Sequence, residues 1–381
     1  MNIAIDALNI RAGGGVTHLR ELLNNSNPKL FGFDKVVVFS GTETLKQINN
    51  QDWLVKISSP MLDKSLFFIL IWRLLYFNKY IKQNNISLLL SPSGTYTGKF
   101  RPYVTMSQNM LIFDKKEVAR FGFSVLRLKF VLLNYFQTKS FRNASGIIFL
   151  SKYAKNTICN LINIEESFNK IIAHGIDDRF RKEPKIQREI STYTSEQPYK
   201  LLYVSTINVY KHQWNIIAAI AKLKQNGYNI ELILIGSIAS KQMGKKFNHF
   251  LEKYDSRKMF IKYLGQVNFD VIETYYKNSD GFIFASTCEN FPNILIEAMS
   301  CGLPILSSNY DPMPEIYTEQ GFYFDPLSIE DIICKLKIFL DKKDLREQLS
   351  FLSYNLSQKY NWQKTSESTL KFLEDIVKKE N

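Results

Sequence analysis

The 381-residue sequence lacks several patterns that would place it in other classes of protein. Its four cysteines (Cys159, Cys288, Cys301 and Cys334) are widely spaced and form no Cys-x-x-Cys pair, which argues against a zinc site and against a disulfide framework. The N-terminus starts directly on a strand pattern, without the basic end and apolar middle of a secretory signal. We therefore expect a protein of the reducing cytoplasm.

Motifs for three other chemistries are missing as well. The net charge of +13 comes without a helix-turn-helix, zinc-finger or RNA-recognition motif, so nucleic acid is not an expected partner. None of the four histidines pairs with the Ser or Cys motif of a hydrolytic triad. No Asp-x-Asp occurs, so we expect no metal and no other cofactor.

Positive charge is concentrated in residues 61–142, which contain 13 Lys and Arg against 3 Asp and Glu, whereas residues 201–381 contain 21 of each. Two aromatic and aliphatic stretches, 66–77 and 121–141, lie in this basic region, and neither has the ~20 uncharged residues that a membrane span needs. Their pattern is typical of interfacial helices on an anionic membrane, and core helices with snorkelling basic side chains are the alternative. Under the first interpretation, the inserted side chains are Phe67, Phe68, Trp72, Phe121 and Phe123.

Strand and helix patterns alternate along the chain, which predicts an α/β protein with parallel sheets and helices on both faces. The polar stretch 181–200 has no periodicity and interrupts this alternation, so it indicates a linker. The length of the chain also suits two domains better than one. We therefore predict one α/β domain over residues 1–180 and a second over residues 201–361.

Two glutamates eight positions apart, Glu289 and Glu297, lie in the most informative stretch. An apolar strand pattern ends just before Glu289, which puts this carboxylate past the carboxyl end of a strand, where open α/β sheets bind ligands. Pro292 suits the first turn of a helix that we expect to end near Cys301, with Glu297 inside it.

Backbone N–H groups at the start of that helix can face an anion, and we expect them at Asn290, Phe291 and Asn293. Carboxylates accept hydrogen bonds from vicinal hydroxyls, and helix N–H groups meet phosphate oxygens. The combination suits a sugar nucleotide.

At these positions the sequence resembles the retaining glycosyltransferases of family 4, also called group 1. The matching residues are the two glutamates with the aromatic-proline pair, the Ala-Met, the Gly and the Pro around them: Glu289, Phe291, Pro292, Glu297, Ala298, Met299, Gly302 and Pro304. The resemblance covers nearly the whole chain and is strongest over residues 201–326. It implies a GT-B fold, in which two Rossmann-like domains face a cleft, the N-terminal one binds the acceptor and the C-terminal one binds the donor. It also implies that a last helix, residues 362–381, returns to the N-terminal domain.

The resemblance implies a role for each polar residue of the donor domain. Glu297 would hold the ribose hydroxyls, Glu289 would hold the transferred sugar as a catalytic residue, and Lys211 would neutralise the leaving diphosphate. The family usually has an arginine five residues before that lysine, but here Thr206 follows Ser205 at the end of a strand. This departure removes one cation from the expected site.

Two stretches of the N-terminal domain complete the predicted site. Gly14 and Gly15 follow the first strand, where the family has a glycine-rich loop that approaches the donor diphosphate, and a simple tight turn is the alternative. Asn109 follows another strand, at a place where many members carry a histidine that touches the donor sugar. Its amide can both donate and accept hydrogen bonds.

The expected activity is retaining transfer of a sugar from a nucleoside diphosphate to an acceptor hydroxyl, without metal. The basic, apolar region suggests a lipid-linked oligosaccharide acceptor in bacterial surface polysaccharide assembly, for O-antigen or capsule, at the inner face of the plasma membrane. Two alternatives stay open: a sugar-nucleotide epimerase of similar shape, and a non-catalytic sugar-nucleotide-binding partner of a membrane assembly complex.

Overall fold

The computed structural model describes residues 1–11, 13–164 and 168–380. The chain divides into two compact units. The first unit comprises residues 1–118, 123–175 and 360 onward, and the second comprises residues 119–122 and 176–359.

The first unit is built on a seven-stranded parallel sheet with strand order β3-β2-β1-β4-β5-β6-β7. Its strands are β1 (Asn2–Asp6), β2 (Lys35–Phe39), β3 (Leu54–Ile57), β4 (Ile86–Ser91), β5 (Tyr103–Met106), β6 (Gly146–Phe149) and β7 (Asn169–Ile171). Its helices are α1 (Gly14–Asn24), α2 (Thr42–Lys46), α3 (Leu66–Trp72), α4 (Asn78–Gln83), α5 (Lys115–Ala119), α6 (Val125–Arg142), α7 (Lys152–Ile162) and α15 (Trp362–Glu380). A π-helical turn, Arg73–Phe77, joins α3 to α4.

Right-handed crossovers decide which helices share a face of this sheet. The chain moves in one direction from β1 to β3, and in the opposite direction from β3 onward. The segment from α3 to α4 and helix α6 therefore lie on the same face, and α1 and α2 lie on the other. The central strands are buried on both faces, as expected for a parallel sheet.

The face with α3 and α6 exposes an unusual amount of apolar side chain. Only a few residues of the first segment, including Ile69, Trp72 and Phe77, pack into the core against β2 and β4. Trp72 is therefore not available to a membrane, contrary to the sequence expectation, because its ring fills the space between the helix and the sheet. Phe121 is half-buried against Trp214 in the second unit, so it does not fit that expectation either.

The C-terminal helix α15 belongs to the first unit, as the resemblance implies. It packs on α1 and covers β6, where a side chain at Gly146 would collide with Phe372. Stacked rings hold its first turn in place. The ring centroids of Trp362 and His174 are 5.6 Å apart, and those of His174 and His18 are 4.7 Å apart. Burial lowers the pKa of His18 well below its usual value, so the His18 imidazole is neutral near pH 7.

The second unit has a six-stranded parallel sheet with strand order β10-β9-β8-β11-β12-β13. Its strands are β8 (Tyr199–Val204), β9 (Ile230–Ile235), β10 (Ile261–Tyr263), β11 (Gly281–Phe284), β12 (Ile305–Ser308) and β13 (Phe322–Phe324). Its helices are α8 (Gln213–Gln225), α9 (Lys241–Asp255), α10 (Ile272–Asn278), α11 (Asn293–Ser300), α12 (Met313–Tyr317), α13 (Ile329–Asp341) and α14 (Lys343–Ser357). The predicted parallel α/β architecture is thus confirmed in both units.

The stretch predicted as a linker, residues 181–200, packs within the second unit. Buried Arg346 donates to the carbonyl oxygen of Arg188, and the N–H of Lys182 donates to the carbonyl oxygen of Ser300 at 2.9 Å. The charged composition that indicated a solvated linker instead reflects side chains that bond to backbone carbonyls, such as Lys185 to Ser279.

Candidate functional site

The strand order of the second unit places two loops side by side at the carboxyl edge of its sheet. Strand β8 pairs with β9 on one side and β11 on the other, and the order of connections reverses between β8 and β11. The crevice outside such a reversal is where open α/β sheets bind ligands. The loop after β8 carries Lys211, and the loop after β11 carries Glu289.

Lys211 and Glu289 form an ion pair in this crevice, between Nζ and Oε1. Both side chains are largely buried, at 9% and 14% exposure. The ammonium also faces the rings of Tyr210 and Phe284, 5.2 and 5.4 Å from their centroids. A pair shielded this way has charges that interact more strongly than on a surface, because water screens them less. The sequence resemblance paired these residues by role, and the fold brings them into contact.

A network around His212 fixes the two loops to each other. The backbone N–H of Thr287 donates to the carbonyl oxygen of Tyr210 at 2.9 Å, and Thr287 Oγ1 lies 3.2 Å from His212 Nε2. His212 itself has a left-handed backbone (φ 50°) at the start of α8. Burial lowers its pKa to about 4, helped by the positive charges of Arg120 and Lys246. His212 is therefore neutral near pH 7 and positions the loops without adding a cation.

The turn after β8 passes close to the end of β9. A side chain at Gly236 would place its Cβ 2.0 Å from the carbonyl oxygen of Ser205, so only glycine fits there. Ser205 is buried, and Thr206 is exposed with its carbonyl oxygen accepting a hydrogen bond from Gln213 Nε2 at 3.0 Å. Neither residue supplies the cation that the resemblance led us to expect at position 206.

Glu297 lies inside α11 and is almost completely buried, at 8% exposure. The hydroxyl of Tyr276, on α10, donates to its Oε2 at 2.7 Å. Burial raises the pKa of the Glu297 carboxyl to about 7, against the opposing effects of the Tyr276 hydrogen bond and the charge of Arg179. The sequence predicted the position of this carboxylate in a helix but not its partner.

Arg179 lies in a 3-10 turn, Asp178–Phe180, and its positive charge lowers the pKa of Glu297. Its guanidinium stacks on Phe269, 4.0 Å from the ring centroid, and lies 3.4 Å from Asp177 and 3.8 Å from Glu273. Carboxylates thus surround this arginine, so its positive charge is largely compensated within the cluster.

The start of α11 matches the sequence prediction closely. Pro292 takes the N-cap position, Asn293 is the first helical residue, and Asn290 and Phe291 are buried in the loop before it. The N–H of Leu295 already bonds to the carbonyl oxygen of Pro292 at 2.9 Å. The helix ends at Ser300, one residue before the predicted end.

The predicted residues of the N-terminal half lie in the first unit. Gly14 and Gly15 open α1, and a Cβ at Gly15 would lie 3.9 Å from Gln108 Oε1, so the loops after β1 and β5 meet. Asn109, next to Gln108, is half-buried, and its Oδ1 accepts a hydrogen bond from the N–H of Leu111 at 3.1 Å.

Within the second unit, the fold therefore brings Lys211, Glu289 and the start of α11 to one edge of a sheet, with Glu297 farther inside the helix. Tyr276, Thr287 and His212 are the partners that sequence reasoning missed. No group of three or more His, Cys, Asp or Glu side chains in the part of the chain that the structure describes is arranged to hold a metal ion.

The part of the chain that carries this arrangement matches a protein-family model. Residues 186–354 match the model described as "Glycosyl transferases group 1", and this span contains Lys211, Glu289 and Glu297. This stretch of the second unit is thus similar to the group 1 glycosyltransferases. The curated relatives include a capsular polysaccharide biosynthesis glycosyltransferase of Staphylococcus aureus, 24% identical over 54% of this chain and 55% of that protein. The alignments span between 23% and 58% of the length of the first eight curated relatives.

Solved structures resemble the whole chain in fold. A sucrose-phosphate synthase from Thermosynechococcus elongatus matches with a TM-score of 0.74 over 97% of both chains, at 18% identity. The Anabaena protein HepE, in complex with UDP-glucose, matches with a TM-score of 0.67 over 100% of this chain and 99% of its own, at 15% identity. Both units thus have the Rossmann-like topology of GT-B glycosyltransferases.

Proposed function

We propose that the protein is a retaining glycosyltransferase of family 4 that transfers a sugar from a nucleoside diphosphate to an acceptor hydroxyl. The observation that carries the proposal is the buried Lys211–Glu289 pair at the β8/β11 switch point of a group 1 domain. It puts a cation and a carboxylate side by side, where a diphosphate and the sugar attached to it would meet them.

Each charge has a separate task when a donor binds. The diphosphate competes with Glu289 for the Lys211 ammonium, and the first N–H groups of α11 offer it further donors. The Glu289 carboxylate is then free to accept hydrogen bonds from the sugar and to stabilise the oxocarbenium-like transition state, an electrostatic role of the kind that often dominates catalysis. The acceptor attacks on the face that the diphosphate leaves, and a phosphate oxygen takes the acceptor proton.

The donor is a nucleotide sugar whose ribose hydroxyls are held by Glu297. A structural neighbour, HepE, was solved with UDP-glucose, which makes UDP the first nucleotide to test. Thermal-shift measurements with UDP, GDP and ADP identify the base, because a ligand that binds the folded state raises its stability by mass action.

Turnover distinguishes the proposal from its two alternatives. Release of the nucleoside diphosphate only in the presence of acceptor is the expected result. An epimerase of this shape would release it without acceptor, and a non-catalytic binding protein would bind the nucleotide and release nothing. Either of those results would replace the proposed activity.

The proposed acceptor is a lipid-linked saccharide at an anionic membrane, as in O-antigen or capsule assembly at the inner face of the plasma membrane. Its support is an exposed apolar surface on the first unit, formed by residues 66–76 and 123–136. Fifteen large apolar side chains are exposed there: Leu66, Phe67, Phe68, Leu70, Leu74, Leu75, Tyr76, Phe123, Val125, Leu126, Leu128, Val131, Leu132, Tyr135 and Phe136. Such an area on a monomer marks an interaction site.

Charge and topology support the proposal that an anionic membrane is the partner of this apolar surface. Both segments lie on one face of the first sheet, and they are linked through Tyr96, whose N–H donates to Ser140 Oγ at 3.0 Å and whose ring lies 5.9 Å from the Arg73 guanidinium. Exposed Lys79, Lys129 and Lys139 flank the apolar side chains. None of the helices in the described residues is long and apolar enough to cross a bilayer. In this proposal the apolar surface lies in the membrane interface, as amphipathic helices do.

Vesicle co-sedimentation tests the membrane proposal. We expect binding to vesicles with anionic lipid, about 1 kcal/mol for each well-placed Lys or Arg, weakened by salt but not removed. The double variant Leu74→Glu/Leu132→Glu should lose most of this binding. The matched control Leu30→Glu, at an exposed leucine of the same unit outside the apolar surface, should keep it. Equal binding by both variants, or by neutral and anionic vesicles, would contradict the proposal.

A further inference from the structure

We propose that Tyr276 is a positioning residue that orients Glu297 and favours its ionised form, so that it can accept hydrogen bonds from the ribose of a nucleotide donor. The inference rests on the proposed function, since that function supplies the role of Glu297. It adds a residue 21 positions away in the sequence, on a different helix.

The Tyr276 hydroxyl is fixed in place by the packing of its ring. The ring is fully buried, stacked on Phe282 at 5.8 Å between centroids and set edge-on to Phe180 at 5.7 Å. From this position the hydroxyl reaches Glu297 Oε2 at 2.7 Å, and the next acceptor, the carbonyl oxygen of Ile294, is 3.4 Å away. The geometry therefore directs the proton to the carboxylate.

The direction of this hydrogen bond favours the charged form of Glu297. Burial raises the pKa of the Tyr276 phenol well above its usual value, so the hydroxyl keeps its proton at physiological pH. A donor that bonds to a carboxylate stabilises the ionised form. The bond occupies one lone pair of Oε2 and leaves the lone pairs of Oε1, which two vicinal hydroxyls need as acceptors.

Other groups that face Glu297 do not replace this contact. The positive charge of Arg179, in the Asp178–Phe180 turn, lowers the pKa of Glu297. The negative charge of Asp177, just before that turn, raises it. From α10, Glu273 is paired with Arg179. Next to the end of α11, the Cys301 thiol has its pKa raised to about 12 by burial and is neutral. Tyr276 is thus the direct hydrogen-bond donor in a neighbourhood whose charges largely offset one another.

The test measures UDP binding by calorimetry from pH 5.5 to 8.5, with GDP and ADP in parallel, on the wild type and on Tyr276→Phe. In the wild type, affinity should rise as the pH passes about 7, where Glu297 ionises. Loss of a hydrogen bond to a charged group should move this midpoint upward, so that Tyr276→Phe binds about tenfold more weakly at pH 6.5 and recovers most of the loss at pH 8.5. In the transfer reaction, the donor KM should rise while kcat changes little, as for a contact made equally in ground and transition states.

Tyr317→Phe is the matched control. Tyr317 is also fully buried in the second unit, but its hydroxyl lies 3.3 Å from the Leu349 carbonyl oxygen and 3.2 Å from Ser353 Oγ. This variant should lose stability and keep the wild-type pH profile of binding. A Tyr276→Phe profile identical to wild type, or the same shift in both variants, would overturn the positioning role.

A second readout separates this inference from the proposed function. If the wild type binds none of the three nucleotides, the proposed function fails, and the positioning role is then judged on the ligand-free protein. The pH dependence of its unfolding free energy contains the titration of Glu297, which Tyr276→Phe should move to higher pH and Tyr317→Phe should not. An unmoved titration would overturn the role of Tyr276 independently of any ligand.

Discussion

Two glutamates lie near one edge of the second sheet, Glu289 in a loop and Glu297 in the helix that follows it. Their electrostatic surroundings are opposite. Glu289 is paired with a cation, Lys211, and keeps some contact with solvent. Glu297, eight positions later, is more deeply buried, and burial raises its pKa to about 7 although the hydrogen bond from the Tyr276 hydroxyl opposes this rise. The same side chain is held as a compensated charge in one place and as a group poised between its two forms in the other.

The difference follows from the elements that surround each carboxylate. Glu289 lies in a loop at the crevice, where a second loop can bring a lysine to it without burying either charge completely. Glu297 lies inside a helix that packs on α10 and the Asp178–Phe180 turn, where the hydroxyl of Tyr276 donates a hydrogen bond to it. Position relative to the crevice thus decides whether a carboxylate here pairs with a cation or accepts a hydrogen bond from a buried hydroxyl.

The largest expected effect is on turnover, through Glu289→Gln. The amide cannot stabilise the cationic sugar of the transition state, so kcat should fall about 10²- to 10³-fold. Product affinity should rise, because Lys211 no longer has an internal partner and is available to the diphosphate. Single-turnover rates with calorimetry of UDP check both effects, and a variant with wild-type kcat would remove Glu289 from the catalytic site.

Lys211→Met tests the other half of the ion pair. Removal of the cation leaves the Glu289 carboxylate buried without compensation, which should destabilise the second unit by about 3–5 kcal/mol. The double variant Lys211→Met/Glu289→Gln should recover most of this loss, because it removes both charges together. Urea unfolding of these two variants and of Glu289→Gln completes a double-mutant cycle. If the losses of unfolding free energy in the two single variants add up to the loss in the double variant, the pair is not coupled.

Glu297→Gln should stabilise the ligand-free protein at neutral and alkaline pH while it weakens donor binding. The folded-state pKa of about 7 lies above the unfolded value of 4.5, so ionising Glu297 destabilises the folded state, and the cost grows between these pH values and persists above pH 7. At pH 8 the variant should gain up to about 3 kcal/mol over wild type, and at pH 4.5 almost nothing. Thermal unfolding at both pH values measures this, and a gain that is the same at pH 4.5 and pH 8 would contradict the raised pKa.

The smallest expected effect is that of a chelator. If side chains and helix N–H groups meet the diphosphate, excess EDTA should leave transfer rates within about twofold of the untreated enzyme. Activity that EDTA abolishes and magnesium or manganese restores would mean that a metal, rather than Lys211, meets the diphosphate.

The local sequence pattern was sufficient to predict the strand and the helix that carry the site. It was not sufficient to predict which distant residues contact the side chains of the site. Strand β11 and helix α11 follow from an apolar run, a proline and a glycine, and the helix boundaries differ by one residue at each end. The short strands β3, β7 and β13 have three or four residues each and little burial, so the alternation of apolar and polar residues along them is a weak signal in the sequence. The packing of residues 181–200 in the second unit depends on carbonyl acceptors far away in sequence, which polar composition does not reveal.

The sequence by itself determined the two α/β units, the resemblance to the group 1 glycosyltransferases, and the positions of Lys211, Glu289 and Glu297, because these depend on spacing along the chain. Tertiary structure alone decided that Lys211 meets Glu289, that Tyr276 meets Glu297, and that Trp72 is buried while Leu74 is exposed. The physical reason is that a pKa, an ion pair or a docking surface depends on burial and on neighbours from other elements. Strand order, rather than proximity in sequence, chooses those neighbours.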